Sequence, residues 1–133
     1  MTVAKREEFS IPGLSPPISH YCDAVRFGDL LFISGLVGVD EHGKVVGQDD
    51  TARQTRQIFE NMKKVLDAAH ACFADVLKVT VFMTNIDDRP LINPVRQEFF
   101  GAVRPASTLV EVRKLVRPDL LLEIEAVVGL PQR

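Results

Sequence analysis

The spacing of apolar residues changes along the chain, and each change marks an element. In AVRFGDLLFISG, residues 24–35, two apolar runs flank Gly28-Asp29. Glycine supplies the positive φ that a two-residue hairpin turn needs, so strands are expected over 24–27 and 30–34. The polar turn DEHGKVVG follows and leads to a short extended pair, Val45 and Val46. Ala52, Thr55, Ile58, Phe59, Met62, Val65, Leu66 and Ala69 then recur three and four apart, with Asp50 or Thr51 in a capping position, so 51–71 reads as a long amphipathic helix. DVLKVTVFMTN alternates and is rich in β-branched residues, which predicts an internal strand over 76–84 at the sheet centre. Asn93-Pro94 is the pairing of an N-cap with a first helical residue, which predicts a second helix over 94–100 that stops before Gly101, with a turn over 88–92 ahead of it. Strands over 107–112 and 120–128 close the chain. The order gives an α+β fold, a mixed sheet with two helices packed on one face, forming a single domain over 1–133.

The last strand points beyond one subunit. Alternation puts Leu120, Leu122, Ile124, Ala126 and Val128 on one face and Leu121, Glu123, Glu125 and Val127 on the other. If the helices cover the first face, the second leaves apolar surface that a monomer would expose, and a closed oligomer packed sheet against sheet would bury it.

Composition narrows the function classes. A formal charge of −2 from 16 basic and 18 acidic residues, with no basic run, offers no field to gather nucleic acid or an anionic membrane. MTVAKREEFSIPGL is charged and carries no signal-length apolar stretch, so a cytoplasmic location is expected. Cys22 and Cys72 form no CxxC pair, and His20, His42 and His70 stand in separate segments without HxH or HxxxH spacing, so neither a disulfide framework nor a metal site is expected. His20 and Cys22 flank Tyr21 on one side of an extended segment, a weak form of a Cys-His nucleophile that lacks a third, orienting group.

SHYCDAV, GDLLFISG, LKVTVFMTN, INPVRQEFFG, RPASTLVEV and LEIEAVV follow one another in an order that resembles the reactive intermediate deaminase family, also called the Rid or YjgF family. The likeness runs from about Ile18 to Val128, and INPVRQEFFG with RPASTLVEV is most similar to its 2-aminomuconate deaminases. The resemblance implies a chorismate-mutase-like subunit, assembled as a homotrimer with clefts between neighbouring subunits, that hydrolyses conjugated enamines and imines without a cofactor. It implies a catalytic Glu123 that activates water, and substrate contacts from Tyr21, Ser34, Gly35 and Asn93. It also implies one departure. Where the family holds a substrate carboxylate with the arginine of P-A-R-S, this chain has Pro105, Ala106, Ser107 and Thr108. A hydroxyl offers one weaker donor than the paired bonds of a guanidinium, so Ser107 points to a changed ligand, with a longer diacid the leading choice.

Each of these residues also has a plainer reading. Glu123 could be a solvated carboxylate on a strand, with Glu125 beside it as a salt-bridge partner. Asn93 could be a cap and nothing more. Tyr21 could serve for ring area, and Gly35 could merely let the chain turn. Arg104 contributes a cation three residues from Ser107, on the opposite face by strand alternation. Arg26, Arg89, Arg96 and Arg104 are the candidates for a second carboxylate anchor. Alternative functions are a non-catalytic trimer that binds metabolites, a general 2-imino acid deaminase, and a ribonuclease, which the near-neutral charge disfavours.

Overall fold

The computed structural model describes residues 3–131. It holds six strands, β1 (Arg6–Phe9), β2 (Ala24–Phe27), β3 (Leu30–Val37), β4 (Val76–Met83), β5 (Ala106–Glu111) and β6 (Leu122–Gly129), and two helices, α1 (Thr51–Ala68) and α2 (Arg89–Phe100). The strands form one sheet in the order β1-β2-β3-β6-β4-β5, antiparallel throughout except for the parallel pair β4 and β5, which α2 connects. The fold is α+β with a mixed sheet, as the element order predicts. Among the described residues no helix is long and apolar enough to cross a membrane.

Gly28 turns the first hairpin at φ +62, and β3 runs past its expected end to Val37 by way of a break in register against β6 between Ile33 and Leu36. α1 starts where expected, because the Asp50 carboxylate accepts the Arg53 N–H at 2.9 Å. It stops three residues early. His70 adopts φ +57, its N–H bonds to the Asp67 carbonyl, and the Ala71 N–H bonds to the Leu66 carbonyl, a Schellman ending without its usual glycine.

Three expectations need correction. β4 is internal but lies next to the edge strand β5, and β6 occupies the place between β3 and β4. α2 begins at Arg89 and not at Pro94. Pro90 stands in its first turn and Pro94 inside it, and burial of Ile92, Val95 and Phe100 against the core outweighs the local cost of the second proline. Arg6–Phe9 had no expected strand. Its charged sequence REEF gives no apolar alternation, which suits an edge strand. Val45 contributes only an isolated bridge to Val39.

The helices and one sheet face enclose the core. Leu122, Ile124, Ala126 and Val128 of β6 are buried there, and Phe59 of α1 meets Phe73, Phe99 and Phe100 at ring separations of 5.4–6.1 Å. The other sheet face carries no helix and leaves Phe27 (54% exposed), Phe32 (47%) and Val110 (38%) open to solvent.

Candidate active site

The register break in β3 builds the first half of the site. At the break the Ser34 hydroxyl donates to the Cys22 carbonyl at 2.6 Å and the Ser34 N–H to the Asp23 carbonyl at 3.0 Å, so segment 20–23 is fastened beside the strand and Tyr21 is presented at its surface. Asp23 is itself buried and accepts the Ile11 N–H at 2.7 Å. Across from the break, Glu123 projects from β6 on the face away from the helices, paired in register with Val37 and Phe82. A Cβ at Gly35 would lie 2.2 Å from Glu123 Oε2. Gly35 has no left-handed φ to explain it. Its missing side chain is the space that the carboxylate fills, a use of glycine for close approach.

Tyr21, Ser34, Gly35 and Glu123 line one cavity of about 690 Å³, walled by Pro16, Pro17 and Leu120. Burial, and then the nearby charge of Glu125, push the Glu123 carboxyl above the usual carboxylate range. Glu125 itself is exposed on the same face. His42 and Arg117 also line this cavity, and neither was expected there as a site residue. Arg117 is a strut: Nε and Nη2 donate to Asp119 at 3.1 and 2.7 Å, and Nη1 donates to the Gly43 carbonyl at 2.6 Å. The VRPD spacing, an arginine two residues before an aspartate, was the available signal.

A second cavity of about 310 Å³ lies between α2, β4 and the loop into β5, and Asn93, Arg96 and Arg104 line it. Because the helix starts at Arg89, Asn93 caps nothing and stands one helical turn before Arg96 on the same side. Arg104 precedes β5, so strand alternation does not set its direction, and it shares the cavity with Asn93. Ser107 pairs in register with Val79 on the helix-covered face, where its hydroxyl accepts from Arg96 Nη1 at 3.0 Å. Arg96 Nε is buried without a hydrogen-bond partner among the described residues. Burial draws this guanidinium below its ordinary range.

The structure thus gathers the expected residues into two groups rather than one. Tyr21, Ser34, Gly35 and Glu123 stand in the first cavity, Asn93 and Arg104 in the second, and Ser107 behind the second through Arg96. Glu123 and Ser107 lie on opposite faces of the sheet. Of the other candidates, Arg26 bonds the Gly28 carbonyl at the hairpin, Arg89 is exposed, and Cys22 Sγ donates to the Ala24 carbonyl instead of forming a pair with His20. Among the described residues no three His, Cys, Asp or Glu side chains cluster to hold a metal.

Comparison with known proteins matches the family described as Endoribonuclease L-PSP to residues 13–129. The chain is 40% identical over 111 residues to a RutC family protein of Pyrococcus horikoshii, covering 84% of this chain and 87% of that one. It is 37% identical over 122 residues to the 3-aminoacrylate deaminase RutC of Acinetobacter baylyi, covering 91% and 96%, and 35% identical over 119 residues to a 2-iminobutanoate/2-iminopropanoate deaminase of Dermatophagoides farinae, covering 90% and 92%. Among solved structures it is similar to Escherichia coli TdcF with bound serine, with a TM-score of 0.83 at 31% identity over 93% of this chain and 100% of that one. With the family matched over residues 13–129 and relatives of 37–40% identity covering 84–91% of its length, the chain belongs to the Endoribonuclease L-PSP family, the family also called Rid or YjgF.

Proposed function

We propose that the protein is a cofactor-free enamine/imine deaminase, with 2-aminomuconate as its substrate and 4-oxalocrotonate and ammonia as its products. The observation that carries this reading is Glu123: a half-buried carboxylate of raised pKa, set against the open backbone of Gly35 in a cavity that also presents Tyr21. Such a group holds a proton closer to neutrality than an exposed carboxylate does, which suits it to both taking and returning one. The names of two relatives, a 3-aminoacrylate deaminase and a 2-iminobutanoate/2-iminopropanoate deaminase, support imine or enamine chemistry.

The enamine first tautomerises to the imine, which makes C2 electrophilic. Water held by Glu123 adds to C2 as the carboxylate takes its proton. That proton passes to the nitrogen, Glu123 takes the hydroxyl proton as the C–N bond breaks, and ammonia leaves as the carbonyl forms. A protonated imine is already activated, so the route needs no metal.

The active unit in this reading is a homotrimer. Two half-sites on opposite sheet faces, together with an uncovered apolar face around Phe32, support a cleft that a neighbouring copy completes. The Ser107 side of that cleft receives a carboxylate of the diacid. Ammonia release from freshly generated 2-aminomuconate, corrected for spontaneous hydrolysis, tests the assignment. Release above background is expected. Binding of the compound without any release would leave a metabolite-binding protein instead, and a monomer mass by light scattering would remove the shared cleft.

A further inference from the structure

We infer that Arg96, held by Ser107, is the guanidinium that anchors a substrate carboxylate in the second cavity, with Arg104 and Asn93 beside it. Elsewhere in the chain arginines pair with carboxylates, Arg117 with Asp119 and Arg56 with Glu98. Arg96 and Arg104 line one cavity, no Asp or Glu lines it with them, and neither has an ion-pair partner among the described residues. Two cations without a counter-charge between low-dielectric walls focus a positive field on the space between them. Arg96 is also pre-oriented, because Nη1 is fixed on the Ser107 hydroxyl while Nε is buried and unpaired.

The walls choose among anions. Phe59, Val79, Val81 and Phe100 offer apolar surface, and Asn93 adds a neutral amide. This favours an organic acid with an apolar or conjugated body over a free inorganic anion, which would gain nothing from those side chains. Ser107 is therefore a positioning residue: its small hydroxyl holds the helix-borne arginine, and a larger side chain at 107 would occupy the same space.

Calorimetric titration of the full chain with trans,trans-muconate and with its dimethyl ester tests the anchor. Binding is read apart from turnover, although the choice of a conjugated diacid rests on the deaminase reading. Wild type should bind muconate well above the ester and above inorganic phosphate. Arg96→Gln should weaken muconate by roughly 30-fold or more, as expected for losing a charge-assisted pair, and should shrink the penalty for esterification by the same factor. Arg96→Lys, which keeps the charge and the stem, should fall between the two, and Ser107→Ala should weaken binding less than Arg96→Gln. A structural role for Arg96 would lower the melting temperature but leave the acid-to-ester ratio unchanged. Unaltered muconate affinity in Arg96→Gln, an acid-to-ester ratio that survives in both Arg96 variants, or phosphate binding as tight as muconate would each overturn the inference. Arg96-dependent binding without ammonia release would keep the anchor and refute the deaminase, whereas release with an unchanged KM in Arg96→Gln would do the reverse.

Discussion

Gly35→Ala probes the carboxylate through the backbone that faces it. The new methyl carbon would start 2.2 Å from Glu123 Oε2, 2.7 Å from Cδ and 3.0 Å from Cγ, and real contacts of this kind essentially never fall below 3.0 Å. The carboxylate must therefore retreat by about 0.8 Å at least. Gly35 has no left-handed φ, so alanine itself fits the backbone, and Glu123 is half-buried and free to swing toward solvent. The stability cost should accordingly stay within about 1 kcal/mol, as for a substitution that strains no backbone. Catalysis should suffer more, because displacing a reacting group by about 1 Å costs on the order of 10²-fold in rate. We expect kcat/KM for ammonia release to fall by roughly 30- to 100-fold with a nearly unchanged melting temperature. In a Glu123→Gln background the same substitution should cost almost nothing further, since both changes disable one group. Full activity of Gly35→Ala, or an undiminished loss in the double variant, would refute the proposed contact between backbone and carboxylate.

Glu123→Gln itself should lower turnover by roughly a hundredfold or more and abolish the acid limb of the pH profile, which in wild type should lie above the usual carboxylate range. Because folding raises the pKa of Glu123, the fold favours its protonated form, and wild-type stability is lost as pH rises through that raised value; Glu123→Gln should therefore gain melting temperature over wild type at pH 7 compared with pH 4. Ser107→Arg replaces the acceptor of Arg96 with a second cation, so turnover of the diacid should drop while small 2-imino acids gain, as read by KM for each. Kinetics unchanged from wild type for both substrates would place residue 107 outside the site. Asp50→Ala removes the cap of α1 and should cost about 1 kcal/mol in urea unfolding without altering KM.

The sequence disclosed most where side-chain period and burial agree. α1 and β6 present long, regular apolar sets, and their faces came out as the spacing implied. It disclosed less where tertiary contacts override a local rule. Asn93-Pro94 carries the signature of a helix start, yet packing of Ile92 extends α2 through it. That shift also changed the meaning of Asn93, from a capping residue to one that lines a cavity. Arg96 was one of four arginines of equal standing in the sequence, and nothing local tied it to Ser107 eleven residues away on another element. Gly35 was ambiguous for a related reason: the side chain that requires its bareness belongs to β6, 88 positions along the chain. β1 was illegible because an edge strand needs no apolar alternation.

If the deaminase site is divided between neighbouring subunits, two variants crippled in different half-sites should restore one another. Glu123→Gln removes the proton-handling group of one half-site, and Asn93→Ala/Arg96→Gln strips the other, so each protein alone should release little ammonia from 2-aminomuconate. When the two are unfolded, mixed in equal amounts and refolded together, random assembly into a closed ring places an intact Glu123 beside a neighbour's intact α2 in roughly one site in four. The mixture should regain about a quarter of wild-type activity, reading one intact site in four as one quarter of the rate. Activity no higher than the mean of the two parents, from a mixture verified to contain hybrid oligomers, would contradict a site shared between subunits.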